Sequence, residues 1–165
     1  MNIYLLRHGI AADLGLGIKS DFERPLTEEG IKEMRMEAKG MKNLGIQFTK
    51  ILTSPLFRAK QTAEIVAEVL DCKNKLQECK ALAIPASRSH LLDDLKRFTS
   101  GDDILLVGHE PEMGYLAGFF IGNLKLRLPF KKGSLCKIEV SNLQHSPIGE
   151  LRWFLTPKQL KLLGK

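Results

Sequence analysis

The sequence predicts a three-layer α/β/α sandwich with a mostly parallel central sheet, built as a single domain over residues 1–165. Three observations carry that expectation. Short apolar runs alternate with stretches of helical periodicity, the pattern of βαβ units whose sheet is covered on both faces. Hydrophobic residues make up 44% and charged residues 27% of the chain, enough to build one core without covalent staples. Two apolar runs each stop one step before a histidine, and in parallel sheets the ligand crevice lies beyond the carboxyl ends of the strands.

The run Asn2–Leu6 is apolar and ends at Arg7-His8-Gly9, which predicts a buried strand and a turn. Residues Ala11–Pro25 are rich in glycine and charge and predict a surface loop. Thr27 is placed to cap a helix reaching Asn43, with Glu28 and Glu29 in its first turn and Ile31, Met34, Ala38 and Met41 on its buried stripe. Lys50–Thr53 is a second strand, closed by Ser54-Pro55. A helix over Phe57–Leu70 turns Ala59, Thr62, Ala63, Val66 and Val69 inward. A third helix over Ser87–Phe98 carries Leu91, Leu92, Leu95 and Phe98. Asp103–Val107 is an apolar strand stopping at Gly108-His109, and Pro111 suits the first turn of a helix reaching Gly122. Ser134–Val140 and Glu150–Leu155 alternate as antiparallel strands do, and Pro157 opens a terminal helix.

The cysteines Cys72, Cys79 and Cys136 cannot all pair within the chain and form no Cys-x-x-Cys motif, which points to a reducing compartment. The chain enters its first strand without a basic leader and holds no long apolar run, so a cytoplasmic protein with no membrane span is expected. A formal charge of +6 favours anionic partners without choosing among them. Lys125, Arg127, Lys131, Lys132 and Lys137 crowd one stretch, yet the aromatic interleaving of a single-strand binder is sparse, so no nucleic-acid partner is expected.

The chemistry is expected at His8 and His109, each just past a strand, together with Arg7 and with Arg58 near a helix start whose free N–H groups attract anions. Two guanidiniums repel a cation, so these residues make a poor metal site; no metal and no cofactor are expected. They suit a phosphoryl group, since arginine makes forked, charge-assisted hydrogen bonds to phosphate oxygens, each worth roughly 1.5–3 kcal/mol. Other candidates fall away. Gly15-Leu16-Gly17 follows no strand and no Gly-Lys-Ser/Thr loop exists. Cys72 and Cys79 with His90 and His145 lack zinc spacing. Ser54 and Ser134 lie in no nucleophile elbow, and Cys136 reads as a core thiol. Asp21, Glu23 and Arg24 are expected to shape the loop over the pocket, with a substrate contact from Arg24 left open.

Leu6-Arg7-His8-Gly9 resembles the signature of the histidine phosphatase superfamily, the phosphoglycerate-mutase-like proteins. The segment from Ser54 to Ala63 is similar to its second motif and Val107-Gly108-His109 to its third, in the same order. Arg24–Gly30, Pro111 and the close from Leu155 to Lys161 resemble the short bacterial phosphohistidine phosphatases, so the likeness covers essentially the whole chain. The resemblance implies that His8 becomes phosphohistidine and that Arg7, Arg58 and His109 hold the phosphoryl oxygens. It implies a phosphorylated protein as partner, acted on without a metal; a small phosphometabolite, or binding without turnover, is the alternative, and the sequence does not identify the oligomeric state, a monomer being the default expectation. The resemblance is incomplete at the general acid. Mutase-type members carry a glutamate in a Trp-containing segment, whereas the one tryptophan here is Trp153, leaving Glu78 and Glu110 as candidates outside any such context. Glu78 reads more simply as surface charge.

Overall fold

The computed structural model describes residues 1–15, 17–143 and 147–165. Leu16 of the Gly15-Leu16-Gly17 segment and His145 lie outside the described residues.

Six strands form one sheet in the order β3-β2-β4-β1-β5-β6: β1 Asn2–Arg7, β2 Lys50–Thr53, β3 Leu76–Glu78, β4 Asp103–Gly108, β5 Leu135–Asn142 and β6 Ile148–Leu155. β1 to β4 are mutually parallel where they pair; β5 runs antiparallel to β1 and β6 to β5. The helices are α1 Glu28–Asn43, α2 Phe57–Val69, α3 Arg88–Leu95, α4 Glu112–Ile121 and α5 Pro157–Leu163.

Strand alternation divides the core in two. Ile3 and Leu5 of β1 face a layer that includes Leu91 and Leu95 of α3 and Leu116 and Phe120 of α4. Tyr4 and Leu6 face the other way, onto Met34, Ala38 and Met41 of α1, Ala63 and Val66 of α2 and Leu160 of α5. The expected three-layer α/β/α arrangement is therefore present.

The structure departs from expectation at edges and ends. α3 stops at Leu95, before Phe98, because its last expected residues close into a turn in which the Phe98 N–H reaches the Leu95 carbonyl. β3 was not signalled: its three residues are half-buried or exposed at the sheet edge and carry no apolar run. β6 starts at Ile148 rather than Glu150, on an edge strand with little burial contrast. The Ala11–Pro25 loop contains a short 3-10 turn, Asp21–Glu23, and a bridge from Ala11 to Leu26.

α1 begins where expected, because the Thr27 hydroxyl accepts the Gly30 N–H at 2.9 Å. Its buried stripe includes one residue that the apolar spacing passed over, Glu37, which is 2% exposed. Gly133, at φ +83°, lies against that carboxylate: a side chain there would begin 2.3 Å from Glu37 Oε2, so only glycine combines this backbone with this contact.

Candidate active site

Strand register assembles the site. Arg7 of β1 lies opposite Gly108 of β4, so the residues that follow, His8 and His109, emerge side by side with ring centroids 5.1 Å apart. Thr53 of β2 lies opposite Val107, which brings Ser54 to the same edge, its N–H bonded to the Val107 carbonyl. Arg58 then arrives from the first turn of α2 and is only 4% exposed. The four residues expected to act together are clustered: Arg58 touches His8 directly, and the charges of both Arg7 and Arg58 are felt at both histidines.

His8 is held in one tautomer. Its Nδ1–H donates to the Gly9 carbonyl at 2.7 Å, and its Nε2 accepts from Nε–H of Arg58 at 3.2 Å. Nε2 therefore carries the lone pair. Burial above all lowers this imidazole from its ordinary 6.5 to about 3; the Gly9 carbonyl works against that, while His109, Arg58 and Arg7 add to it. The ring is neutral across the physiological range. Thr62 secures the turn below, accepting the Gly9 N–H at 3.1 Å and donating to the Arg58 carbonyl at 2.7 Å.

His109 is lowered to about 4, chiefly by burial and then by Arg58. Its Nε2 meets Ser54 Oγ at 2.8 Å, while its buried Nδ1 has no hydrogen-bond partner among the described residues. Arg7 gives Nη1 to the Phe130 carbonyl at 2.8 Å, and Glu110 fixes that segment by accepting the Phe130 N–H, also at 2.8 Å.

Sequence reasoning did not foresee the partner of Arg58. Asp21 takes Nη1 of Arg58 on its carbonyl at 2.6 Å and Nη2 on its carboxylate at 3.0 Å. Burial alone would raise the Asp21 carboxyl, but hydrogen bonds from Arg24 and Arg58 hold it below its usual range. Arg24 serves the loop itself, bonding the Ala12 carbonyl at 2.6 Å and Asp21 at 2.9 Å, and Glu23 is exposed. An Asp-x-x-Arg spacing signals the Arg24–Asp21 pair but not the contact with Arg58, 37 positions away.

Glu78 sits at the outer end of β3 in an exposed ion pair with Lys60 at 3.1 Å, consistent with surface charge. Among the described residues no cluster of three or more His, Cys, Asp or Glu side chains could hold a metal ion, and no helix is long and apolar enough to cross a membrane. Cys72, Cys79 and Cys136 are buried free thiols. A groove of about 470 Å³ opens beside Arg7, lined by Glu110, Arg127, Phe130, Lys131 and Phe154 among others.

A mixed α/β sheet that gathers two histidines and two arginines at its strand ends defines a phosphate-handling α/β protein. The chain belongs to the histidine phosphatase superfamily: the family model for its branch 1 matches residues 3–83. An uncharacterised protein of Picosynechococcus sp. is 35% identical over 97% of this chain and 99% of its own length. The phosphohistidine phosphatase SixA of Escherichia coli is 29% identical over 98% of both chains. Among solved structures, the protein histidine phosphatase SixA complexed with tungstate superposes with a TM-score of 0.84, at 27% identity, covering 97% of this chain and 99% of that one.

Proposed function

We propose that the protein is a metal-independent phosphohistidine phosphatase acting on a phosphorylated protein through a phospho-His8 intermediate. The observation that carries this reading is the state of His8: a neutral, buried imidazole, its Nδ1–H anchored on Gly9 and its Nε2 lone pair facing Arg58, with the charge of Arg7 also felt at the ring. In the first half-reaction Nε2 attacks phosphorus in line, the P–N bond to the substrate imidazole breaks with its electron pair going to the departing nitrogen, and that nitrogen takes a proton from solvent. In the second, water attacks the phosphoryl group on His8, releasing inorganic phosphate and returning the electron pair to Nε2. Arg7, Arg58 and His109 hold the phosphoryl oxygens, and their charge and donors stabilise the transition state without a metal.

Two features favour phosphohistidine over an alkyl phosphate. The end-to-end likeness to a phosphohistidine phosphatase covers nearly all of both chains. No carboxyl among the described residues is hydrogen-bonded to either site histidine, and a protonated imidazole asks less of a general acid than an alkoxide does. The basic groove beside Arg7 is open enough to receive a side chain presented on a protein surface. The reading implies a soluble, cytoplasmic monomer.

The test is transfer of labelled phosphate from a phosphorylated histidine phosphocarrier to the enzyme, with the acid-labile label mapped to its residue. Label on His8 that chases to inorganic phosphate, and faster turnover of phosphohistidine than of sugar phosphates, is the expected result. Equal or faster turnover of sugar phosphates would transfer the activity to small phosphometabolites. Phosphate binding without hydrolysis would make the protein a binding module.

A further inference from the structure

We propose that Ser54 is a positioning residue that fixes His109 as the Nδ1–H tautomer and thereby turns that ring into a donor toward the phosphoryl group. The proposal rests on the phosphoryl-site reading above.

The argument is an accounting of protons and lone pairs. Ser54 is fully buried, so its hydroxyl must satisfy itself within the protein. The Leu56 N–H donates to Oγ at 3.3 Å, occupying a lone pair with a proton that backbone geometry fixes. The only acceptor that Oγ–H meets among the described residues is Nε2 of His109, at 2.8 Å. Ser54 therefore donates and His109 accepts. A neutral imidazole carries one N–H. With Nε2 accepting, the proton sits on Nδ1, the atom that is buried and unpartnered on the opposite edge of the ring.

The reverse arrangement fails twice. If Nε2–H donated to Ser54, the hydroxyl proton would be left without an acceptor inside the protein. Nδ1 would then present a lone pair to an approaching anion, which repels it. With Ser54 donating, one orphaned donor remains, and it is the kind of group that an oxyanion takes up. His8 and His109 thus stand in the same tautomer for opposite tasks. The Gly9 carbonyl accepts the Nδ1–H of His8 so that Nε2 keeps the lone pair that faces Arg58, while Ser54 caps Nε2 of His109 so that Nδ1–H is left to donate. Ser54 is a turn residue closing β2, and no chemistry of its own is required of it.

The experiment is long-range 15N–1H NMR of the histidine rings in the full-length resting protein near neutral pH, for wild type, Ser54→Ala and Ser54→Thr, alongside kinetics on phosphohistidine. Wild type is expected to show His109 neutral with its proton on Nδ1, and inorganic phosphate to shift that Nδ1–H. Ser54→Ala is expected to move His109 toward the Nε2–H form and to lower kcat by on the order of 10–10²-fold, with Ser54→Thr restoring both. A wild-type ring protonated on Nε2, or an Nδ1–H that survives unchanged in Ser54→Ala, would overturn the proposal. If Ser54→Ala does not fold, the wild-type spectrum decides by itself. The tautomer is read without turnover, so failure of His8 to accept label sinks the proposed function alone, and an Nε2–H ring in an enzyme that does label at His8 sinks this inference alone.

Discussion

Arg58 and Asp21 are locked together across the mouth of the site: two guanidinium nitrogens sit on the Asp21 carbonyl and carboxylate, at 2.6 and 3.0 Å, while the third points at Nε2 of His8. The fork that would grip a phosphoryl group is thus already filled by an anion of the protein's own. On the proposed reading, a phosphoryl group that uses this fork exchanges with Asp21, while Nε–H of Arg58 stays on His8 until Nε2 attacks.

Asp21→Asn tests that exchange. The substitution keeps an acceptor near Arg58 but removes the competing charge, and a charge-assisted bond is worth about 1.5–3 kcal/mol against roughly 1 for a neutral one. Inorganic phosphate should therefore inhibit the variant at concentrations about tenfold lower than wild type. Weaker inhibition would show that Asp21 aligns Arg58 for the anion instead of competing with it.

Arg58→Ala should lower kcat/KM by on the order of 10²-fold or more, since it removes a preorganised donor from a site where charge shifts. His8→Ala should leave no turnover and no labelled enzyme. Arg58→Lys should not recover the loss, because a point charge cannot contact His8 and span a phosphoryl edge together. Steady-state rates on a phosphorylated phosphocarrier check all three, and a lysine variant within threefold of wild type would contradict the fork geometry.

Stability should pass through a maximum near pH 6–7. His8 and His109 titrate at about 3 and about 4 in the folded chain, below their ordinary 6.5. As pH falls below 6.5 the unfolded chain takes up protons first, so stability is lost progressively toward pH 3. Glu37 does the opposite. Burial, with Glu33 beside it and Lys161 partly offsetting, raises its carboxyl from 4.5 to about 8. Between those values the folded chain keeps a proton that the unfolded chain has released, so stability falls as pH rises and the loss is complete above about 8. From pH 6.5 to 8.5 only Glu37 contributes among these groups, at about 2 kcal/mol. Urea midpoints should show this decline in wild type and its absence in Glu37→Gln. Parallel curves for the two proteins would remove the explanation.

What the sequence made legible follows from how local each signal is. β2 and α1 were readable to the residue because an apolar run or a cap fixes their bounds, as Thr27 does for α1. His8, Arg58 and His109 were readable because each follows a strand that periodicity locates. Asp21 was visible only as a loop residue, since its partner lies on a helix 37 positions away and no period links a loop to a helix. Ser54 was visible as a turn residue and as the start of the second motif, but its contact with His109 was not, because that depends on register between β2 and β4. Glu37 shows the converse failure: its spacing places it on the buried face of α1, but its charge argues against burial until Gly133 is found opposite.

Gly30→Ala sets helix propensity against site geometry. Alanine in a helix interior should gain roughly 0.5–1 kcal/mol over glycine. Here the added Cβ would lie 2.1 Å from the Ile10 carbonyl oxygen, a contact with backbone that no rotamer relieves. Forcing such a fit costs about 1–3 kcal/mol, so the clash outweighs the propensity gain and net destabilisation follows. The segment that must yield is Gly9-Ile10, which carries the carbonyl anchoring His8 Nδ1 and the N–H held by Thr62. Loss of activity should therefore exceed what the unfolded fraction explains. Comparing kcat at a temperature where the variant remains folded with its urea midpoint separates the two effects. Full kcat in a merely destabilised protein would mean that the turn beneath His8 tolerates displacement, and that the tautomer of His8 does not depend on its position.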